Sequence, residues 1–302
     1  MEIKRYQVMQ LDITNYCNTR CRFCINDWGN ADKKVDMDSD TFNKAMSLLP
    51  LIDRGFLSCS FEPTLHPQFA EFYCRVPGTR AYTFFTTNLV RRLGISEIRD
   101  LSNSNLDSIN ISITSFKPEV YEYLQAGAKF DDFIRNLENV TRIFRNKENA
   151  PALRYITVVL KQNIDELPDI AKICHEKYLS KLNQFRTVFP FTPKLQIAGW
   201  LRNSITTEKQ WKKAVKKLKT LPYTMGYFNP LFAKADQYTR EKSVNEVNSY
   251  FQFRADGQII MHEKNKDLLP DRFKKDFNIN GISNPYQYFK KGLEEIRKME
   301  AQ

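Results

Sequence analysis

Cys17-Asn18-Thr19-Arg20-Cys21-Arg22-Phe23-Cys24 places three thiols within eight residues, at gaps of three and then two, with Tyr16 just before them and Phe23 among them. No second cysteine pair follows to complete a tetrahedral zinc site. An iron–sulfur cube has four irons, so three protein thiolates hold three of them and leave the fourth open to an exogenous ligand. An open metal position marks chemistry rather than scaffolding, as it does when catalytic zinc is set against structural zinc. The competing reading is a zinc knob of three cysteines and one histidine. The histidines are His66, His175 and His262, none close by in sequence. A disulfide or redox cluster is awkward with an odd local number of cysteines.

The C-x3-C-x2-C spacing, with an aromatic residue before its last cysteine, resembles the radical S-adenosylmethionine (SAM) superfamily. The resemblance implies a [4Fe-4S] cluster on Cys17, Cys21 and Cys24, with Phe23 beside the cofactor. The amino and carboxylate groups of SAM would chelate the fourth iron. One electron, from a flavodoxin- or ferredoxin-type donor, would cleave SAM to a 5'-deoxyadenosyl radical.

Working outward, residues 6–13 read as a buried strand delivering the chain to the cysteine loop. Asp38 and Asp40 offer N-caps for a helix whose apolar positions Phe42, Met46 and Leu49 recur at helical intervals. Strands follow at 56–61, 82–86, 107–114, 153–160 and 184–189, alternating with helices from 67, from 96, at 130–145 and at 165–178. Alternation of this kind implies a parallel sheet with right-handed crossovers. Six units match the partial (β/α)6 TIM-like barrel that the resemblance implies, an open relative of the eight-fold barrel. The barrel is assigned to residues 1–190. Pro190, Pro193, Pro222 and Pro230 punctuate the next stretch of chain, and no further βα unit is legible. Residues 191–302 read as a small α+β extension with a basic helix, a hairpin around Asp256-Gly257 and a closing helix from Pro285 to Met299.

In a parallel α/β sheet ligands sit at the carboxyl ends of the strands, so the loops after each strand carry the candidates. Ser60-Phe61-Glu62-Pro63 stands where the superfamily often has Gly-Gly-Glu-Pro. By resemblance Glu62 accepts from the SAM ammonium; a helix-capping acid is the alternative. Thr87 and Asn88 resemble the family's Thr-Asn turn near SAM, with Leu89 in place of the usual glycine. Ser112 resembles the serine that touches the ribose or carboxylate of SAM. Many relatives carry a carboxylate-binding arginine in the next loop, but that stretch reads Leu124-Gln125-Ala126-Gly127. Lys161 is the candidate in its stead, and Asn163 resembles a recurrent asparagine of the branch with SPASM or twitch extensions.

The C-terminal extension resembles a SPASM or twitch module, yet no cysteine follows Cys174, and Met261-His262 falls where a relative places its first ligand. No auxiliary cluster is expected. With none to collect a second electron, the resemblance implies a redox-neutral outcome: epimerisation, rearrangement or adenosyl addition, of isomerase or transferase type. Cys59, three residues before Glu62, is a candidate hydrogen donor; burial as a small apolar residue is the alternative. The expected substrate is a small polar molecule such as a sugar, aminocyclitol or nucleotide, or else a peptide, in a biosynthetic pathway. RNA modification, and in another class a zinc-stabilised RNA-binding module, are the rival functions.

Composition sets outer bounds. A chain of 302 residues with 42% hydrophobic and 27% charged residues can bury a substantial core. No apolar run of spanning length and no signal peptide are legible, so a cytoplasmic protein without membrane contact is expected. The net charge of +11 favours an anionic small molecule, an acidic peptide or RNA without choosing among them. Much of it lies on one face of the helix at 206–221, opposite Trp211, Leu218 and Leu221, which suits a solvated surface as well as a nucleic-acid patch. Tyr223, Tyr227, Phe228 and Phe232 are candidates either for a substrate mouth or for packing under the extension.

Overall fold

A computed structural model of the chain describes residues 6–26, 33–58, 60–189, 192, 199–232, 248–263, 269–274 and 277–300. Strands β1 (Tyr6–Leu11), β2 (Arg54–Leu57), β3 (Tyr82–Thr87), β4 (Ser108–Ser112), β5 (Ala152–Val158) and β6 (Ser180–Arg186) pair in chain order, every pair parallel. The crossovers carry α1 (Ser39–Met46), α2 (Phe69–Cys74), α3 (Ile95–Ser102), α4 (Pro118–Leu124), α5 (Phe130–Phe144) and α6 (Leu167–Glu176). This is the partial TIM-like barrel that the alternation predicts. The short helix α4, which opens on Pro118 and buries Tyr121 and Leu124, is an addition to it.

Local chemistry explains the elements. Asp38 caps α1 by accepting from Thr41 N at 2.8 Å, and the helix turns Phe42, Ala45 and Met46 inward. In α5, Phe133, Leu137, Val140 and Phe144 recur at helical spacing and are all buried. Each such side chain contributes about 1.5–3 kcal/mol by leaving water. Strand β1 shows the two-residue period: Met9 and Leu11 join the buried apolar core, while Gln10 faces the cavity at the top of the barrel.

The sheet continues past residue 190 at both edges. After α7 (Gly199–Ser204) and α8 (Glu208–Leu218), strand β7 (Met225–Phe228) adds in parallel to β6. A seventh parallel strand was illegible because it has four residues, all half-buried, and so no alternation of apolar and polar positions. At the other edge β8 (Asn248–Phe253) lies parallel to β1 and turns into β9 (Gln258–Glu263) through the predicted Asp256-Gly257 hairpin. Gly257 has φ +81°, and a Cβ there would stand 2.9 Å from Asn278 Oδ1, so both backbone and space call for glycine. Strand β10 (Phe277–Asn278) completes the order β10-β9-β8-β1-β2-β3-β4-β5-β6-β7. Helices α9 (Asp271–Lys274) and α10 (Pro285–Glu300) cover the hairpin with a stack in which Phe251, Phe273 and Phe289 lie 5.1–6.3 Å apart.

Candidate cluster and cofactor site

The cysteine loop leaves β1 and is pinned by the turn after α4. Arg20 N donates to Ala126 O at 2.6 Å and Arg22 N to Leu124 O at 3.0 Å. Gly127, at φ +89°, lets that turn approach closely; a Cβ on it would meet Asn18 O at 3.4 Å. Cys17, Cys21 and Cys24 are half-buried thiols outside any disulfide. The Thr19 hydroxyl lies 3.3 Å from Cys17 Sγ and 3.5 Å from Cys21 Sγ, between the two thiols. Asn88 Nδ2 reaches Cys17 Sγ at 3.6 Å and Asn18 Oδ1 at 2.8 Å. Asn26 N donates to Cys24 Sγ at 3.4 Å.

Glu62 is buried beneath this loop, its own N–H donating to Tyr16 O at 3.2 Å. Its carboxylate accepts from Thr64 N (3.2 Å), Thr64 Oγ1 (2.6 Å), Thr87 Oγ1 (2.6 Å) and Asn88 N (2.7 Å). The capping role is therefore real, on the turn Pro63–Leu65, and it coexists with a place on the cavity wall. Burial pushes the Glu62 carboxyl up against the pull of those donors. Burial first, and then the Glu62 charge, raise the Cys17 thiol.

The three cysteines line a cavity of about 310 Å³ at the carboxyl ends of the strands. Phe23, Glu62, Thr87, Asn88 and Ser112 line it with them. Thr87 Oγ1 also accepts from Leu89 N at 2.9 Å, holding Leu89 at φ +57°. A leucine thus occupies the left-handed conformation that favours glycine. Val158 and Val188 supply apolar wall.

Lys161 and Asn163 are not brought to the cavity wall. Lys161 Nζ donates to Asn203 O at 2.7 Å on an exposed loop. Asn163 is buried; its amide donates to Thr114 O at 2.8 Å and Val158 O at 3.0 Å and accepts from Leu160 N at 2.8 Å, fixing the loop after β5. Cys59 lies outside the described residues. Of the aromatic candidates, Phe228 meets the cavity residue Phe189 edge-on at 5.9 Å, while Tyr223 points outward to Glu176.

Arg186, Gln125 and Gln10 are among the cavity residues that the sequence reading did not single out as site residues. Arg186, at the end of β6, is the one cation among the described lining residues, and its guanidinium lies 5.7 Å from the Phe189 ring. Phe185 before it is fully buried, so strand alternation turns Arg186 to the opposite, inner face. Gln125 is buried with Nε2 on Thr114 Oγ1 at 3.3 Å. Gln10 Nε2 donates to Ser60 Oγ at 2.7 Å and Asp12 Oδ2 at 3.1 Å, and Tyr250 OH donates to its Oε1. That last bond brings the C-terminal hairpin to the cavity wall.

Residues 11–174 match the model of the Radical SAM superfamily. The chain belongs to this superfamily. Radical SAM proteins use a [4Fe-4S] cluster and SAM, and the donor set here suits them: three cysteine thiols of one loop line the same cavity, two of them on either side of one hydroxyl. A GTP 3',8-cyclase from Haemophilus influenzae (strain 86-028NP) is 25% identical over 169 residues, covering 54% of this chain and 48% of that protein. One from Alkaliphilus metalliredigens (strain QYMF) is 20% identical over 263 residues, 80% of this chain and 74% of that one. The chain thus spans about half the length of the first of these relatives. Among solved structures, Streptococcus suis SuiB bound to SAM superposes with a TM-score of 0.63 at 12% identity, over 94% of this chain and 66% of that one. The enzyme anSMEcpe with bound SAM gives 0.64 at 15% identity, over 96% and 80%. Both radical SAM enzymes share the fold. No helix among the described residues is long and apolar enough to cross a membrane.

Proposed function

We propose that Cys17, Cys21 and Cys24 hold the [4Fe-4S] cluster, that Phe23, Glu62, Thr87, Asn88 and Ser112 receive SAM, and that the enzyme abstracts hydrogen from a small anionic metabolite of the sugar or nucleotide type. The observation that carries this reading is the single cavity on which three thiols, a buried carboxylate and one guanidinium converge. When bound, the cluster and SAM supply a one-electron cleavage that yields a 5'-deoxyadenosyl radical.

The residues of the chain do the rest. Glu62 accepts the ammonium of SAM, a charge-assisted contact that favours its ionised form despite burial. Thr87 and Asn88 hold that carboxylate in place, and Val158 and Val188 exclude water from the site. Arg186, on the cavity wall, takes the anion of the substrate. A nucleotide is favoured by the relatives named GTP 3',8-cyclase. A peptide substrate is the second reading, favoured by neighbours solved with the precursor peptide SuiA and with the Kp18Cys peptide. The lack of any cysteine after Cys174 in this sequence supports a redox-neutral outcome, and its unbridged thiols suit a reducing, cytoplasmic setting.

The test is anaerobic reconstitution with iron and sulfide, then SAM, dithionite and either GTP or a peptide panel. The reading expects an anionic small molecule to stimulate 5'-deoxyadenosine release, and Arg186→Gln to raise the concentration needed by about tenfold or more. Stimulation by peptides alone, with Arg186→Gln unaffected, would favour the second reading.

A further inference from the structure

A second cavity, of about 350 Å³, lies where α8 packs on α6 and on the loop after β5. It shares no lining residue with the cysteine cavity, and its size is that of a pocket for a small ligand. Ile164, Leu167 and Ala214 give it an apolar floor. Lys161, Lys213 and Lys217 line it as well, and Asp165 is the one acid among the described lining residues, so the wall is net cationic. Lys213 and Lys217 stand one helical turn apart, a spacing at which like charges repel. Among the described residues neither makes an ion pair, whereas Lys212 beside them has Glu208 at 2.7 Å. Lys161 Nζ donates to Asn203 O at 2.7 Å, which orients its ammonium without neutralising it.

We propose that this cavity is a second binding site, for a phosphate monoester with a compact apolar body. Lys161, Lys213 and Lys217 take the phosphate, and the body lies on Ile164, Leu167 and Ala214. Lysine ammonium groups are point charges that suit a phosphate dianion, and three of them outweigh the single charge of Asp165. The cations that line the cavity face one enclosed space, which fits a small molecule; a nucleic-acid strand calls for a groove that tracks successive phosphates. The occupant is a ligand other than SAM or the substrate, because the two cavities have no wall in common. The inference therefore stands apart from the reading of the cysteine loop. Lys161 follows Val158, a wall residue of the cysteine cavity, by three residues, so the occupant bears on the loop that carries that wall.

The test titrates reconstituted protein, with SAM present, by anaerobic calorimetry with phenyl phosphate and with inorganic phosphate. The proposal expects saturable one-to-one binding of phenyl phosphate, tighter than that of inorganic phosphate by about threefold or more. The double variant Lys213→Ala, Lys217→Ala should weaken it about tenfold or more. The double variant Lys209→Ala, Lys216→Ala removes the same charge from α8 outside the cavity and should stay within about threefold of wild type. Arg186→Gln should bind phenyl phosphate as wild type does. Should the Lys213, Lys217 variant unfold at a lower temperature without ligand, Lys161→Ala repeats the test from the other wall. No saturable binding by wild type would overturn the site, as would equal affinity for the two probes. Equal weakening by both double variants would replace it with a diffuse basic face, and loss of binding in Arg186→Gln would move the anion to the cysteine cavity; either result overturns the proposal.

Discussion

Asn88 donates from its backbone to Oε2 of Glu62 at 2.7 Å while its side chain reaches the Cys17 sulfur at 3.6 Å. One residue of the turn after β3 therefore fixes both the buried acid and the first thiol of the loop. The loop after β2 and the loop after β1 are held in register by a third strand, so the site is set by sheet order rather than by the cysteine loop alone.

Glu62→Ala should remove the shared acceptor of Thr64, Thr87 and Asn88 and leave their donors buried without partners. We expect a loss of about 2–4 kcal/mol in chemical denaturation of the apoprotein. SAM affinity of the reconstituted enzyme should fall as well. An Ala variant as stable as wild type would mean that these bonds do not hold the site.

Cys17 carries a thiol raised by burial and by the Glu62 charge, so its thiolate fraction at neutral pH is below that of an ordinary cysteine. In the apoprotein its alkylation by iodoacetamide, followed by peptide mass spectrometry, should keep rising through pH 9. A plateau below pH 8.5 would contradict this.

Tyr16 donates to Asp36 Oδ1 at 2.7 Å, and burial with that bond pushes its hydroxyl up to about 12. A folded value above the unfolded one stabilises fully below the unfolded value of about 10, and that stability is lost as pH rises through 12. The stability difference between wild type and Tyr16→Phe should therefore shrink from pH 10 to 12. A difference that stays constant over that window would show that the bond does not couple to folding.

Gly292 in α10 packs against the Phe273 ring so closely that a Cβ would stand 2.2 Å from it. Gly292→Ala gains helix propensity, but forces the ring out of the Phe251–Phe289 stack. The net cost should be about 1–3 kcal/mol by thermal or urea unfolding. A stabilised variant would show that the ring yields freely.

Most of the barrel was legible because each unit carries its own signal. Phe133, Leu137, Val140 and Phe144 announce a helix, and Met9 and Leu11 alternate with Gln10 along a strand. What escaped depends on long-range pairing. Strand β7 exists because Met225 to Phe228 lie against Asn183 to Arg186, and the parallel union of β8 with β1 joins residues far apart in the chain. The same holds for the site. Cys17, Glu62, Asn88 and Ser112 follow from strand ends, whereas Lys161 follows a strand yet turns to Asn203, because the loop beyond β5 is tied down by Asn163. Arg186 lay one residue past a buried phenylalanine, a position that identifies the inner face only once the register is known.

The central claim is that three cysteines of one loop hold the cluster that cleaves SAM. Its most direct test is the yield of 5'-deoxyadenosine from anaerobically reconstituted protein with SAM and dithionite, wild type against the Cys17→Ala, Cys21→Ala, Cys24→Ala triple variant. The account predicts 5'-deoxyadenosine and methionine in equal amounts from wild type and none from the variant. No product from wild type holding its iron, or the same yield from the variant, would contradict it.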